Sequence, residues 1–211
     1  RNDLIKNKLA VGRPKDLEKR AKILQAATSI FLKMGYHATS MNQIALEAGV
    51  SKLTVYNHFQ DKGNLFICAI ERSCEESICA KEIILTAETN FEHALYLMCE
   101  RALGIIYLPE AIKLDRLLFD LAAEQSPLTE QFFNASHMRM QVVWCDFFQQ
   151  AIDLKFIRAD DCTKQTALII SLLLGVYHHR VLLGLASVPS AVEIEKTIRD
   201  AVEIFLLKYH L

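Results

Sequence analysis

Residues 40–59 constrain the fold more than any other stretch, because they carry the signals of two short helices joined by a tight turn. Ser40 and Gln43 have the spacing of a capping box, which predicts a helix that starts directly after Ser40. Gly49 follows that helix and can adopt a positive φ without a clash from a β-carbon. Ser51 has the hydroxyl needed to cap a second helix. The stretch therefore predicts a helix-turn-helix.

The second of these helices has one apolar face and a mostly polar remainder. Val55 and Phe59, four residues apart, mark the face that we expect to be buried. On the other sides, Lys52 supplies positive charge for phosphates, the Asn57 amide can pair with adenine, and Leu53 can contact a thymine methyl group. This composition indicates that the second helix reads double-stranded DNA.

Residues 17–65 contain a set of residues at characteristic spacing: Ala27, Phe31, Gly35, Tyr36, Thr39, Ser40, Ile44, Ala45, Ala48, Gly49, Val50, Ser51, Thr54, Val55, Tyr56, His58, Phe59, Lys62 and Leu65. In these residues the stretch resembles the DNA-binding domain of the tetracycline-repressor (TetR) family of bacterial transcription regulators. Two positions depart from the family pattern: Leu53 stands where a small residue is usual, and Gly63 stands where Glu is frequent.

The resemblance implies which side chains contact DNA. In the family, the positions of Thr54, Tyr56 and His58 touch phosphates or base edges, and that of Lys62 touches a phosphate. The predicted DNA-binding residues are Thr39, Ser40, Ser51, Lys52, Leu53, Thr54, Tyr56, Asn57, His58 and Lys62.

The charge of the chain is divided unevenly. Residues 1–62 carry eleven Lys and Arg against five Asp and Glu, a net charge of +6, whereas residues 63–211 carry thirteen against twenty, a net charge of −7. This division predicts that only the first part binds nucleic acid. We expect residues 1–15 to form a flexible basic arm, in which Arg13 and Lys15 are the candidates for DNA contact.

The rest of the chain has helical periodicity throughout and no run that alternates with a period of two. Gly and Pro are scarce, at 7 and 4 residues, which favours long helices. We therefore expect an all-α fold, with a helix-turn-helix DNA-binding domain over 16–62 and a larger helical ligand-binding and dimerisation domain over 63–211. The helices are expected near residues 17–34, 61–86, 91–106, 110–124, 127–157, 163–186 and 190–209.

The cysteines and the apolar segments bear on the location of the protein. The six cysteines have no C-x-x-C spacing and lie mostly within apolar helical patterns, which predicts free, mostly buried thiols in a reducing cytoplasm. The apolar run 167–177 is shorter than the roughly 20 residues that a bilayer span needs. The sequence has no signal-peptide pattern. We expect a soluble, cytoplasmic protein with no membrane partner.

Residues 91–157 contain large side chains that can line a cavity, together with a few polar groups. Aromatic residues and Met at helical spacing usually form an ordinary core, but His137 and Gln141 share this stretch with Trp144. A mostly apolar pocket with a few convergent polar groups is typical of small-molecule sites, and the family resemblance implies such a pocket here. The predicted ligand-binding residues are Tyr107, Phe119, His137, Met140, Gln141, Trp144 and Phe148.

The last two predicted helices have the features of a dimer interface. The helix over 163–186 is apolar almost all round and therefore needs cover on more than one side. A two-fold four-helix bundle would provide that cover, and the resembled family dimerises in this way. The predicted interface residues are Ser171, Gly175, Ile194, Ile198, Val202 and Phe205.

These patterns predict a homodimeric transcription regulator, a repressor that a small apolar effector releases from its DNA operator. The alternatives are a DNA-binding regulator controlled by a protein partner or by cysteine oxidation, and an enzyme that binds a small molecule. The sequence contains no nucleophile elbow and no Gly-rich phosphate loop. Adjacent His178 and His179 cannot share one helix face, and the five-residue spacing of Cys74 and Cys79 suits a metal poorly. We expect no catalytic site, metal or cofactor.

Overall fold

The computed structural model describes residues 14–78 and 83–211, and over these residues the expected all-α fold is confirmed. Within the described ranges there are ten helices, and the only β-type pairing is a single bridge between Ile157 and His210. The chain divides into two compact units, the first ending at Ala69 and the second running from Ile70 to Leu211. The division falls after the boundary expected at residue 62, because the first turns of the following helix pack in the first unit.

The helices are numbered in chain order. Their bounds are α1 Pro14–Ala38, α2 Met41–Glu47, α3 Lys52–Phe59, α4 Lys62–Ile78, α5 Phe91–Ile106, α6 Pro109–Ala123, α7 Leu128–Ala135, α8 His137–Asp153, α9 Cys162–Leu182 and α10 Ala191–Tyr209. The predicted basic arm lies outside the described residues, apart from Pro14 and Lys15, which begin α1.

The first unit packs α1 to α3 and the start of α4 around an apolar centre. Phe31 of α1 and Phe66 of α4 meet edge to face, with ring centroids 4.9 Å apart. The regular geometry of α1 is interrupted at Gly35, whose φ of 81° is costly for any residue with a β-carbon. The predicted turn is confirmed at Gly49, which has a φ of 66°.

The second unit is built around aromatic packing between α8 and α10. Phe148 stacks on Phe205 at 5.0 Å, and Trp144 stacks on Phe148 at 5.5 Å. Helix α10 also packs against α5 and α9, and α8 packs against α9. Ser190 and Glu193 form the capping box that starts α10.

Two predicted helices are wrong in length. The helix expected over 61–86 does not reach Thr86, because residues 83–86 are not helical; residues 79–82 lie outside the described part. The helix expected over 127–157 is two helices, α7 and α8, which meet at Ser136. The Ser136 hydroxyl donates to the Phe132 carbonyl oxygen at 2.8 Å, a side-chain bond that competes with regular helical pairing.

The expectation that the cysteines are free thiols is wrong for one pair. Cys145 of α8 and Cys162 of α9 form a disulfide, with α-carbons 5.0 Å apart. Cys68, Cys74 and Cys99 are free, and Cys99 is buried.

Among the described residues, no helix has the length and apolar character to cross a membrane.

Candidate nucleic-acid interface and ligand cavity

Helix α3 presents a compact exposed face in the first unit. Ser51 caps it, since its side chain accepts a hydrogen bond from the Thr54 backbone N–H at 3.1 Å. Val55 and Phe59 are fully buried, which fixes the rotation of the helix. The exposed side chains are those of Lys52, Leu53, Tyr56 and Asn57, with Leu53 the most open of the apolar ones at 69% exposure.

This face combines positive charge with groups that can contact base edges. The Lys52 ammonium lies 5.6 Å from the centre of the Tyr56 ring, so that charge and aromatic surface are adjacent. Lys15, Lys19, Lys22 and Lys33 of α1 are also exposed and add to the positive charge of this unit.

Three other predicted DNA-binding side chains are engaged inside the unit. The Lys62 ammonium donates to the carbonyl oxygens of Tyr36 and Thr39, at 3.0 and 3.2 Å. The Thr39 side chain is buried, and its hydroxyl donates to the Gly35 carbonyl oxygen at 2.7 Å. His58 is largely buried, and its Nε2 lies 3.1 Å from an Asp16 carboxylate oxygen. These side chains hold the helix-turn-helix in shape.

Of the remaining three predicted residues, Ser40 and Ser51 are helix caps, and Thr54 is half-buried beside Ser51. The Ser40 hydroxyl accepts from the Gln43 backbone N–H at 3.2 Å, and the Gln43 side chain accepts from the Ser40 N–H at 2.9 Å. The predicted capping box at the start of α2 is therefore confirmed. The Ser51 hydroxyl lies 2.8 Å from that of Thr54. Sequence reasoning could not separate the exposed side chains of this segment from those that support its fold.

The second unit contains a partly open cavity of about 310 Å³. Its walls come from α4 to α9, and most of its lining is apolar. The residues include Ser73, Cys74 and Ser77 of α4, Ile105 and Ile106 of α5, Leu114 and Asp115 of α6, Phe132 and Phe133 of α7, His137, Met140, Gln141 and Trp144 of α8, and Thr166, Ile170, Leu174 and His178 of α9. This volume lies at the lower end of the range for small-molecule pockets.

One acidic group and two imidazoles meet at the wall of this cavity. The His137 Nε2 lies 3.3 Å from one carboxylate oxygen of Asp115, and the His178 Nε2 lies 3.9 Å from the other. Burial raises the pKa of Asp115, but the interactions with His137 and His178 outweigh it and hold that pKa at about 2. Asp115 is therefore ionised at neutral pH. Burial also raises the pKa of the Cys74 thiol to about 11, so that this thiol stays protonated.

Four of the seven predicted ligand-binding residues line the cavity: His137, Met140, Gln141 and Trp144. The other three do not. Phe148 belongs to the core between α8 and α10, and Tyr107 packs its ring against His178 at 5.5 Å. Phe119 lines a neighbouring, more open cleft between α6, α7 and the end of α9.

Sequence reasoning missed the contributions of α4, α6 and α9. Within α9, Thr166, Ile170, Leu174 and His178 recur every four residues and share one face. This spacing was readable from the sequence, but the near-uniform apolarity of α9 concealed it. Nothing in the sequence marks Asp115 as a neighbour of two histidines.

Half of the predicted dimer interface is also revised. Ile198, Val202 and Phe205 are buried in the core of the protomer, so they offer no surface to a second copy. Ser171 and Gly175 are exposed on α9, and Ile194 is half-buried. The exposed large hydrophobic side chains on these helices are Val176 and Tyr177 of α9 and Val192, Ile204 and Leu207 of α10.

Over residues 14–78 and 83–211, no three His, Cys, Asp or Glu side chains form a metal-binding group.

Two family models match the chain. The model described as "Bacterial regulatory proteins, tetR family" matches residues 23–68. The model described as "AefR-like transcriptional repressor, C-terminal domain" matches residues 93–211, more than half of the chain.

Individual relatives agree with these matches. The regulator AcrR of Shigella flexneri is 25% identical over 201 residues, which cover 92% of this chain and 90% of AcrR. The activator FasR of Mycolicibacterium smegmatis is 36% identical over 77 residues, which cover 36% of this chain but only 35% of FasR. The repressor BepR of Brucella suis is likewise matched over only 34% of its length.

Solved structures share the whole architecture. A TetR-family regulator from Mesorhizobium loti is 28% identical, with a TM-score of 0.84 over 94% of this chain and 100% of its own. The flavonoid-responsive regulator FrrA is 24% identical, with a TM-score of 0.77 over 91% of this chain and 97% of its own, a likeness that concerns the fold alone.

A helix-turn-helix unit followed by a helical unit with a cavity is the arrangement found in DNA-binding transcriptional regulators. The chain belongs to the TetR family, whose members bind operator DNA and function as dimers.

Proposed function

We propose that this protein is a homodimeric repressor that leaves its operator when a small, mostly apolar molecule enters the cavity of the second unit. The observation that carries the proposal is the cavity itself: a space of about 310 Å³ whose mostly apolar lining includes the buried Trp144 and whose wall carries an ionised carboxylate. The match to a repressor C-terminal domain supports the sign of regulation.

Helix α4 supplies a route from the ligand to the DNA. Ser73, Cys74 and Ser77 line the cavity, while Lys62 at the start of the same helix bonds to the carbonyl oxygens that precede α2. A ligand that binds one position of α4 more tightly than another shifts the equilibrium between them. Since half-sites on DNA have a fixed spacing, a dimer whose two recognition helices shift loses its fit to both. The coupling must be reciprocal, so operator DNA lowers ligand affinity by the same factor.

The dimer that this mechanism needs would form through α9 and α10. We propose a surface made of Ser171, Gly175 and Val176 on α9 and Ile204 and Leu207 on α10, called here the α9–α10 surface. Large exposed apolar side chains beside small residues favour close packing of a second pair of helices.

The proposal is tested by an electrophoretic mobility shift with DNA from the protein's own promoter region. We expect binding without ligand and release by compounds that raise the melting temperature in a thermal-shift screen. Tyr56→Ala should weaken DNA binding and leave ligand affinity unchanged, because Tyr56 lies on the exposed face of α3. The proposal fails if compounds that bind the cavity leave the DNA complex intact.

A second candidate is control by thiol oxidation, which the Cys145–Cys162 disulfide favours. Its formation removes two protons and two electrons from the thiols, and a peroxide reduced to water would accept them. The bond joins α8 to α9 beside two cavity residues, Trp144 and Thr166. Equal operator affinity for the oxidised and the dithiothreitol-reduced protein would exclude this candidate.

A further inference from the structure

We infer that the ligand is an elongated molecule with an apolar body, a hydrogen-bond acceptor oxygen at one end and a hydroxyl group at the other. This inference rests on the proposed ligand-binding function of the cavity and specifies the chemistry of what enters it.

The cavity has two polar ends joined by an apolar middle. Along α9, Thr166 and His178 are polar, and Ile170 and Leu174 between them are apolar. Twelve residues of straight helix rise about 18 Å between α-carbons, and subtracting two hydrogen bonds of about 3 Å each leaves roughly 12 Å, less the reach of the side chains, for a ligand to bridge. The regular geometry of α9 is interrupted at Gly175, which changes this length somewhat. A ligand that satisfies both ends must therefore be extended.

The first end requires an acceptor. The indole Nε1 of Trp144 and the hydroxyl of Thr166 are buried, and neither has a hydrogen-bond partner within the part of the chain that the structure describes. The two side chains belong to the same end of the cavity. Trp144 precedes Cys145 in α8, and Cys145 is bonded to Cys162 of α9. Thr166 follows Cys162 by one helical turn. An indole N–H can only donate, so a ligand must present an oxygen such as a carbonyl. Buried donors of this kind are nearly always paired in a functioning protein.

The second end requires a hydroxyl. The His178 Nε2 faces the carboxylate of Asp115, whereas its Nδ1 is buried and has no partner among the described residues. A neutral imidazole with its proton on Nε2 leaves Nδ1 as an acceptor, and an imidazolium leaves it as a donor. A hydroxyl satisfies Nδ1 in either state, because it can both donate and accept. Asp115 and His137 at the same wall offer further polar contacts.

The middle of the cavity limits the size and the polarity of the body. Ile105, Ile106, Met140 and Leu174 contribute apolar surface, and Phe132 adds a buried aromatic ring. A volume of about 310 Å³ equals roughly ten water molecules at about 30 Å³ each. One aromatic ring with a short chain fits this space.

The test uses four small probes of one shape. Para-hydroxyphenylbutanone carries both polar ends, phenylbutanone lacks the hydroxyl, para-butylphenol lacks the carbonyl, and butylbenzene lacks both. Isothermal titration should give the two-ended probe an affinity roughly three- to tenfold above that of each one-ended probe, since one matched hydrogen bond has about that effect. Butylbenzene should bind most weakly.

Two matched variants show which end of the cavity binds the carbonyl of a probe and which end binds its hydroxyl. Trp144→Phe keeps an aromatic ring but removes the N–H, so it should weaken the two carbonyl probes roughly threefold or more and leave para-butylphenol unchanged. His178→Phe keeps a ring against Tyr107 and should do the reverse, weakening only the two phenols. Circular dichroism and melting curves check that both variants fold.

The inference is overturned if all four probes bind alike, if either variant weakens all probes equally, or if none binds at millimolar concentration. The proposed function fails separately. Probes that bind with the predicted pattern but do not release operator DNA would contradict induction and leave the ligand chemistry standing. If the probes release DNA but bind equally well with and without their polar groups, only the proposed ligand chemistry is contradicted.

Discussion

The ammonium group of Lys62 lies 4.4 Å from the centre of the Tyr36 ring and donates a hydrogen bond to the Tyr36 carbonyl oxygen at 3.0 Å. A second bond, to the Thr39 carbonyl oxygen, joins the start of α4 to the segment between α1 and α2. Charge-assisted bonds of this kind are among the stronger ones in proteins. The family resemblance implied a phosphate contact for this lysine, whereas its charge is used here to hold the helix-turn-helix together.

The first prediction separates Lys62 from Lys52 by the salt dependence of DNA binding. Lys52→Gln should reduce the slope of log affinity against log salt by about 0.9, because one fewer phosphate is neutralised. Lys62→Gln should leave the slope unchanged and instead lower the free energy of unfolding by about 1–3 kcal/mol, since two part-buried carbonyl acceptors lose a charged donor. Fluorescence anisotropy with a labelled operator across a series of salt concentrations measures the slopes, and urea denaturation measures stability. An equal fall in slope for both variants would show that Lys62 reaches a phosphate in the complex.

Much of the first unit was predictable because its signals are local. The capping box of Ser40 and Gln43, the turn at Gly49 and the cap at Ser51 each depend on residues within a few positions of one another. The inward rotation of Val55 and Phe59 follows from their spacing alone. The sequence did not reveal the partners of Lys62 and His58, because these lie 23 to 42 positions away, in α1 and in the segment that follows it.

The second unit was less predictable because its cavity depends on packing between distant helices. Trp144 and Phe148 have the same apolar character and the same helical period, yet one lines the cavity and the other fills the core. The same ambiguity explains why the predicted dimer interface included residues that are buried within the protomer. Ile198 and Phe205 mark the apolar face of α10 correctly, but that face packs against the protomer's own helices.

The second prediction concerns the α9–α10 surface. The double variant Val176→Asp with Ile204→Asp should be a folded monomer, because charge on both helices would have to be buried when two copies meet. Size-exclusion chromatography with light scattering measures the mass, and circular dichroism confirms the helical content. Loss of the dimer should also weaken operator binding, since one protomer contacts only one half-site.

A matched control comes from the neighbouring core. Phe205→Asp, on the same helix as Ile204, should unfold the second unit instead of releasing folded monomers, because it places an unpaired charge in the core. If the double variant stays dimeric, the interface lies elsewhere on the protein.

The third prediction concerns the disulfide. Cys145→Ala should lower the free energy of unfolding of the oxidised protein by about 3 kcal/mol, the chain-entropy value for a bond that closes a loop of 17 residues. Dithiothreitol should destabilise the wild type by a similar amount and leave Cys145→Ala unaffected. Cys68→Ser serves as the control. Cys68 is a half-buried free thiol, so dithiothreitol should destabilise this variant as much as it destabilises the wild type. A wild type that is indifferent to the reductant would mean that the bond adds nothing to stability.

The last prediction follows from the low pKa of Asp115. Burial alone would raise the pKa, but the interactions with His137 and His178 bring it from an ordinary 3.8 to about 2. A pKa depressed on folding adds stability that is complete above about pH 5 and is lost as the pH falls through 3.8 towards 2. The shift corresponds to about 2 kcal/mol, so Asp115→Asn should be less stable than the wild type by about that amount at pH 7.

The pH dependence distinguishes this electrostatic effect from a simple packing defect. By pH 3 the stability difference between wild type and Asp115→Asn should fall to about half its value at pH 7, because the carboxyl of the unfolded chain is then mostly protonated while that of the folded protein is still mostly ionised. Urea denaturation at both pH values gives the two differences. Asp120→Asn, on the exposed side of the same helix, should change little at either pH. A difference for Asp115→Asn that is the same at pH 7 and pH 3 would mean that the variant acts through lost packing, and that the two histidines do not hold the carboxylate in its ionised form.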